Sequence, residues 1–347
     1  MPVFQAVRPW SRALSVHQGK GFTPEAAQLG ALMEAIESCH GEAFAAPGVL
    51  CTYTELPSIE RAASISDFAS DRADAPGEHE DFHWIQSRRL VDDGPLWVPF
   101  DVVSLDLTRT GESRFERGSN GLGAHFNWPA AAVTAILELI ERDALRTWLH
   151  QGLVARSLSQ IDQASIPFDW FRCFSERVSA GHADLGVYIL PTVIPTPAYL
   201  CEIIDPGEAG AAAKVYGAAC HPDAESALSK AVLEAIQTRL TFIAGARDDI
   251  LYRAPASGGA MGFGVPLPSG LHGQTWPGDR LQRAIAPEES PVGLAQGLAR
   301  SGFTQTAIVD LTAPDDEVVV VKAVSPGLGA FGRTRRAMAG DVWAAFP

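Results

Sequence analysis

The sequence predicts an α+β protein with mixed β-sheets and packed helices, and two observations lead to this prediction. Three helical segments repeat one pattern of alanines and acidic side chains, centred on Glu34, Glu138 and Glu234. Between and after them lie short runs rich in Val, Ile and Leu that are typical of strands. Because strands and helices are mixed within each third of the chain, we expect helices that pack on sheets.

The composition indicates a globular protein and excludes several classes. The 347 residues are 46% hydrophobic and 20% charged, which is enough for a large core in one or two domains. A net charge of −14 argues against broad binding to nucleic-acid phosphates. There is no apolar run near 18 residues and no signal-peptide pattern, so we expect a cytoplasmic protein without a membrane span. The five scattered cysteines form no C-x-x-C pair.

The first helix should begin at Pro24, with Thr23 as its N-cap residue. The preceding stretch "GKGFTP" places Lys20 between two glycines. Exposed backbone amides, an ammonium group and a helix N-terminus together make a reasonable cradle for an anion, although Gly-Lys-Gly is also an ordinary turn.

The next segments predict a surface excursion, a strand and a second helix. The acidic, polar text from Ser58 to about Gly94 indicates a surface excursion, and Pro95 to Thr108 indicates a strand. "GSNGLGAHFNWP" (Gly118 to Pro129) indicates a glycine-rich turn that leads into the second helix. Within it, Ser119 and Asn120 occupy the place that Lys20 occupies before the first helix.

The second half of the chain repeats this alternation. Leu185 to Asp205 predicts two strands joined by a proline turn, and the third helix should begin near Asp223. Two late strands are expected, from Thr304 to Thr312 and from Glu317 to Ser325. We therefore predict a single domain over residues 1–347. It would contain three related units and the late strands, at about 9–57, 95–160, 185–250 and 304–325.

The three helices share the frame A-x-x-x-A-x-x-E-x-I-[E/Q]. The two alanines, the glutamate and the final Glu or Gln of this frame lie along one face of the helix. The acidic or amide side chains in this frame are Glu34, Glu37, Glu138, Glu141, Glu234 and Gln237. For any single helix, tight packing of the alanines and solvated acids would explain the pattern. In the functional interpretation the small alanines leave room for something bulky beside the acids. Converging carboxylates would then repel one another, so a cation is needed, most simply Mg²⁺ with a polyphosphate.

Four cationic residues accompany these acids. Arg142 directly follows Glu141, and Arg239 and Arg247 follow Gln237 closely. Each alone would be interpreted as a surface arginine. Together with Lys20 they could neutralise phosphate charge during phosphoryl transfer.

Three quoted stretches make the chain similar to a known family. "SVHQGKGFTPEAAQLGALMEAIE", "SNGLGAHFNWPAAAVTAILELIERDAL" and "GAACHPDAESALSKAVLEAIQTRLTFIAGARDDI" resemble the YcaO family, in the branch that works with a TfuA-like partner. The resemblance implies a YcaO-like fold with three helix-bearing units around one nucleotide site. It also implies an enzyme that uses ATP and Mg²⁺ to activate a peptide backbone amide. A nucleophile adds to the carbonyl, the resulting oxygen is phosphorylated, and phosphate leaves. A Cys, Ser or Thr nucleophile then gives an azoline, and a sulfide donor gives a thioamide.

The resemblance also implies roles for individual residues. Glu34, Glu37, Glu138 and Glu141 would bind Mg²⁺ and nucleotide. Arg142 would contact phosphate, so that Glu141 and Arg142 are the expected catalytic residues. The expected nucleotide-binding residues are Lys20, Ser119, Asn120, Arg142, Glu234, Gln237 and Arg239.

The expected partners and the competing functions follow from the same resemblance. We expect a ribosomally synthesised precursor peptide as substrate, with a TfuA-like or leader-binding protein as a further partner class. A homodimer is common among relatives. Phe126 and Ala130 stand where an ungapped match puts an Asn and a metal-binding Glu of the family. A catalytically reduced paralogue that binds peptide or partner as a scaffold is therefore the alternative. A carboxylate-bridged metallohydrolase is disfavoured. Among the acids of the frame only Glu37 has a histidine at E-x-x-H spacing, His40, whereas such a site needs this pair on two helices.

Overall fold

The computed structural model describes residues 1–70, 74–109, 113–205, 213–245, 273–277 and 290–328. The helices are α1 Pro24–Ala43, α2 Phe100–Val103, α3 Trp128–His150, α4 Leu153–Leu158, α5 Asp169–Ala180, α6 Ala224–Ala244 and α7 Pro291–Arg300. The strands are β1 Val3–Val7, β2 Val16–Lys20, β3 Gly48–Thr52, β4 Asp81–Arg89, β5 Pro95–Pro99, β6 Leu122–His125, β7 Asp184–Ile189, β8 Ala198–Asp205, β9 Ala213–Cys220, β10 Ala307–Asp310 and β11 Val319–Val324. Helices and sheets are mixed, as the sequence predicts.

The chain divides into two compact units. Unit A comprises Met1–Ala6, Val16–Leu32 and Ala144–Ala286, and unit B comprises Val7–Ser15, Met33–Asp143 and Pro287–Pro347. The prediction of one domain with three repeated units stays a prediction. The last residues of its third unit, 246–250, lie outside the described residues, and Arg247 is among them.

Unit A contains the three-stranded antiparallel sheet β7-β8-β9. Helix α6 packs on β8 and β9, and its apolar side joins a core with side chains of all three strands. Phe171 and Phe174 of α5 complete this core. The predicted strand pair between Leu185 and Asp205 is confirmed as β7 and β8.

Unit B contains a six-stranded sheet in the order β3-β4-β10-β11-β6, with β5 also paired to β4. Trp84, Leu96 and Val320 are among the fully buried side chains of its core. The two late strands are confirmed as β10 and β11, which pair antiparallel from Ala307 opposite Val324. Among the described residues, no helix combines the length and hydrophobicity that crossing a bilayer requires.

Helices α1, α3 and α6 begin in the same way. Their N-cap side chains are those of Thr23, Asn127 and Asp223, and each accepts a hydrogen bond from the backbone nitrogen three residues later, at 3.2, 2.9 and 2.7 Å. Such side chains satisfy amides that have no partner within the helix. The predicted starts at Pro24 and near Asp223 are confirmed.

The alanines of the shared frame contact strand glycines instead of leaving open space. A Cβ on Gly19 of β2 would overlap the backbone of Ala27 and Ala31, and a Cβ on Gly123 of β6 would overlap that of Ala131. In unit A, Gly217 of β9 lies against the backbone of α6 one turn later, at Ala231 and Ala235. The alanines therefore serve a close approach of strand and helix. The interpretation that they make room for something bulky is wrong at these positions.

Three strand predictions need correction. The acidic stretch from Ser58 to Gly94 contains β4, which pairs with β3, β5 and β10 and carries the fully buried Trp84. Charged residues flank β4 and obscure its apolar positions, so the composition of the whole stretch misled the prediction. The predicted strand from Pro95 ends at Pro99, where α2 begins with a hydrogen bond from the Ser104 nitrogen to the Phe100 carbonyl. The glycine-rich turn before α3 includes strand β6, which pairs with β11.

Candidate functional site

Helices α1 and α3 bring acidic side chains together in unit B. Burial, together with the charges of Glu138 and Glu34, raises the pKa of Glu37 to about 8. A backbone hydrogen bond from Ala124 of β6 acts in the opposite direction. Since like charges act over short distances, the carboxyl groups of the two helices are neighbours. This is the convergence that the repeated frame predicts for Glu34, Glu37 and Glu138.

Arg142 lies beside two acids of its own helix. Its guanidinium is 3.5 Å from an oxygen of Glu138 and 3.7 Å from an oxygen of Glu141. The arginine is about one third exposed and the two glutamates less so. At these distances the arginine partly balances the negative charge of the two acids.

Unit B also contains the turn that precedes β6. The Leu122 nitrogen donates to the Ser119 carbonyl at 2.9 Å, and Gly121 has a φ of 81°, which favours glycine. Ser119 is exposed and Asn120 is half-buried. The Gly118 carbonyl accepts a hydrogen bond from the buried ammonium of Lys322 on β11. Burial lowers the pKa of Lys322 to about 8, although Glu138 and Glu116 act to raise it.

The donor set suits a hard divalent cation. Within the described ranges, no three His, Cys, Asp or Glu side chains form a ready-made metal cage. The acids at this site are nevertheless neighbours, because the charges of Glu138 and Glu34 add to the effect of burial in raising the pKa of Glu37. Mg²⁺ commonly uses one or two carboxylates, with waters and phosphate oxygens as its other ligands. The residues present therefore fit a Mg²⁺ bound together with a polyphosphate.

The remaining predicted residues lie in unit A. The Lys20 ammonium is 3.0 Å from a carboxylate oxygen of Glu234. The side-chain nitrogen of Gln237 donates to the Gln18 carbonyl at 3.1 Å, and the Gln18 side chain accepts from the Thr241 hydroxyl. Strand β2 and helix α6 thus hold Lys20, Glu234 and Gln237 in one cluster.

Arg239 is engaged differently from these three residues. Its guanidinium makes two hydrogen bonds to Asp205, at 2.8 and 3.1 Å. The structure therefore does not bring Arg239 into direct contact with Lys20, Glu234 or Gln237 through any of the described hydrogen bonds or ion pairs.

The two departures from the family pattern lie at the start of α3. Phe126 is 60% exposed and stacks edge-on against His125. The Ala130 nitrogen donates to the side-chain oxygen of Asn127, so Asn127 acts as the helix cap. Because its oxygen accepts this hydrogen bond, Asn127 is poorly suited to replace the metal-binding Glu that the family has at position 130.

Sequence reasoning missed Lys322 and Gln18. A lysine within the apolar run "VVVVKAV" was a usable signal, because an ammonium inside a buried strand requires polar partners. Gln18 carried no comparable signal, since its partners Gln237 and Thr241 are more than 200 residues away.

Comparison with known proteins reveals relatives over nearly the whole chain. A Rhizobium leguminosarum bv. trifolii protein described as an uncharacterized protein in the tfuA 3′ region is 34% identical over 341 residues, which cover 94% of this chain and 80% of that protein.

Two solved structures have a similar fold. A heterocyclase in complex with substrate and cofactor matches with a TM-score of 0.73 at 17% identity, over 94% of this chain and 49% of the heterocyclase. The chain thus spans about half the length of that protein. YcaO from Methanopyrus kandleri, bound with AMPPCP and Mg²⁺, matches with a TM-score of 0.66 at 18% identity, over 95% of this chain and 86% of that one.

The family assignment follows from a match that covers most of the chain. The family model described as YcaO cyclodehydratase, ATP- and Mg²⁺-binding, matches residues 18–329. The expected cofactors, ATP and Mg²⁺, agree with this description. The chain belongs to the YcaO family.

Proposed function

We propose that this protein activates a peptide backbone amide at the expense of ATP during maturation of a ribosomally synthesised peptide, giving a thioamide or an azoline. The observation that carries the proposal is the meeting of acids from two helices at Glu37, Glu34 and Glu138, with Arg142 beside them. A divalent cation would offset the repulsion among these carboxylates. Family membership supports ATP and Mg²⁺ as the ligands.

The acids would bind the metal cation and the arginine would bind the anionic phosphate. Glu34, Glu37, Glu138 and Glu141 would hold Mg²⁺, and Arg142 would contact the phosphate that is transferred. Bound Mg·ATP supplies the phosphoryl group that turns the amide oxygen into a leaving group. Phosphoryl transfer depends mainly on positioning and on charge stabilisation. Arg142 and the acids beside it provide both without a Ser/His/Asp arrangement.

The other nucleotide-binding assignments belong to the same proposal. The exposed position of Ser119 and the partly exposed position of Asn120 support a role in contacting the nucleotide. For Lys20, Glu234 and Gln237 the support is their mutual clustering on β2 and α6. Arg239 has the least support, since its guanidinium is occupied by Asp205.

Two partner classes accompany the proposed reaction. The substrate would be a ribosomally synthesised precursor peptide, because family members act on peptide amides. The designation of the Rhizobium relative, in the tfuA 3′ region, supports a TfuA-like protein as second partner. A leader-binding protein is the other candidate for that role, and a homodimer is the proposed assembly.

Calorimetric titration of Mg·ATP into the purified protein tests the nucleotide site. We expect saturable binding by the wild type, a loss of at least about tenfold in affinity for Glu138→Gln, and no change for Glu25→Gln, an exposed acid on α1. The titration should be made with and without a TfuA-like partner. Wild-type affinity in Glu138→Gln would contradict the site assignment.

Mass spectrometry of a modified peptide separates the two products. Exchange of oxygen for sulfur raises the peptide mass and requires a sulfide source, whereas azoline formation lowers the mass by one water. Incubation of peptide, Mg·ATP and protein with and without sulfide therefore assigns the product class.

A scaffold function is the alternative, and the start of α3 is the observation that favours it. Ala130 offers no side-chain ligand, and the Asn127 side chain caps the helix. Tight binding of the precursor peptide without any binding of Mg·ATP would select this alternative over the enzyme.

A further inference from the structure

Lys322 is a buried cation that the family comparison does not explain. It lies in β11 opposite Leu122 of β6, and only 1% of it is exposed. Its neighbours in the strand, Val321 and Ala323, are equally buried. Burial of an ammonium group costs free energy unless hydrogen bonds and opposite charges compensate. Here the Gly118 carbonyl and the charges of Glu138 and Glu116 compensate for the burial of the ammonium group.

The Lys322 ammonium binds the turn that precedes β6. It donates to the Gly118 carbonyl, directly before Ser119 and Asn120. The next residue of β11 holds the other end of the same turn, since the Ala323 nitrogen donates to the Gly121 carbonyl at 2.7 Å. The charges of Glu138 and Glu116 lie close enough to favour the ammonium form. Strand β11 thus fastens both ends of the turn, once through a side chain and once through its backbone.

We propose that Lys322 is a positioning residue that preorganises the turn from Gly118 to Gly121, so that Ser119 and Asn120 meet a nucleotide in a fixed geometry. The inference rests on the proposed function, because it assigns a cause to the nucleotide affinity of that turn. Lys322 contacts no nucleotide and acts through Gly118. A buried lysine with a purely structural role would affect folding stability alone.

The test compares two substitutions in the same strand. Lys322→Met removes the donor and keeps most of the apolar length. Val324→Ala, opposite Ala307 of β10, removes buried apolar volume and leaves both hydrogen bonds to the turn in place. For each variant the melting temperature and the calorimetric affinity for Mg·ATP are measured. We expect both variants to have a lower melting temperature than wild type. Only Lys322→Met should lose affinity, by about tenfold, since a hydrogen bond to a charged group is involved. Affinity within about twofold of wild type in Lys322→Met would overturn the proposal.

A double variant tests whether Lys322 acts through the turn. If it does, the losses of affinity in Lys322→Met and Asn120→Ala should overlap. The double variant should then bind no more than about twofold weaker than the worse single variant. Fully additive losses would overturn the proposal, because the lysine would then act independently of the turn.

Two further outcomes remain decisive. If Lys322→Met does not fold, Lys322→Leu, which likewise has no donor for the Gly118 carbonyl, replaces it under the same criterion. Failure of the wild type to bind Mg·ATP at all would reject the proposed function and this inference with it. Wild-type binding with an unaffected Lys322 variant would reject only the inference.

Discussion

Gly123 of strand β6 lies directly against Ala131 of helix α3, so closely that a Cβ on the glycine would overlap the alanine carbonyl oxygen. The same Cβ would stand 2.8 Å from the Ala135 nitrogen. This contact sets the distance between β6 and α3, and therefore between the Ala124 amide and the acidic face of the site in unit B.

Gly123→Ala should destabilise the protein by about 3 kcal/mol, because the obstructing atoms belong to helix backbone and cannot move independently. Gly152→Ala is the matched control, since nothing lies within 4 Å of a Cβ at that position. Urea unfolding of both variants measures the difference. Equal stability of the two would show that β6 and α3 approach less closely than described.

The Glu37 carboxyl group should make the metal-free protein less stable at high pH. Its folded pKa of about 8 lies above the ordinary value of 4.5, so its contribution to stability is fully present below pH 4.5 and is lost as the pH rises to 8. Without Mg²⁺, Glu37→Gln should therefore have the melting temperature of wild type at pH 5 and a higher melting temperature than wild type at pH 9. Addition of Mg²⁺ and ATP should reverse the order at pH 9. Identical melting of both proteins at every pH would contradict the burial of this group among acids.

Glu42 should show the opposite dependence on pH. Burial alone would raise its pKa, but hydrogen bonds from Arg8, Ser11 and the Arg12 nitrogen outweigh burial and lower the pKa. Its contribution to stability is present above pH 4.5 and is lost as the pH falls through the folded pKa.

Glu42→Gln tests this prediction. It should lower the free energy of unfolding at pH 7 by about 2 kcal/mol. The gap to wild type should narrow at pH 3. Glu317→Gln, at an exposed acid of the same unit, serves as control and should have little effect. A gap that widens towards acid pH would refute the assigned hydrogen bonds.

Lys20→Met should separate nucleotide binding from stability. The Lys20 and Glu234 side chains are each about one quarter exposed, so their ion pair contributes about 0–1 kcal/mol to stability. The melting temperature should change little, whereas the affinity for Mg·ATP should fall at least about fivefold if the ammonium neutralises phosphate charge. Lys230→Met, at an exposed position of α6, provides the same substitution as a control. Unchanged affinity in Lys20→Met would remove this residue from the nucleotide site.

The Asp223 cap should account for part of the stability of α6. Asp223→Ala should cost about 1 kcal/mol, because the Ser226 nitrogen loses its partner. Asp223→Asn keeps an acceptor oxygen and should retain most of the stability. Chemical unfolding of the two variants checks the prediction, and equal losses in both would show that charge, not capping, is what matters there.

The sequence alone determined the three helices and the cap at Thr23. It also determined the shared spacing of Glu34, Glu37 and Glu138, the strands β7, β8, β10 and β11, and the resemblance to the family. These features depend on signals within a few residues, such as the cap at Thr23 and the helical spacing of the frame. Local hydrogen bonds and side-chain periodicity can be recognised without knowledge of the rest of the chain.

Only the tertiary structure decided what those features contact. It placed β4 inside a sheet although its flanks are acidic, filled the space beside the alanines with Gly19, Gly123 and Gly217, and brought Lys322 to the Gly118 carbonyl across 204 residues of sequence. Strand pairing and the burial of a charge depend on partners from distant parts of the chain. No local pattern identifies such partners, because the free energy of each contact is determined by the folded surroundings of both groups.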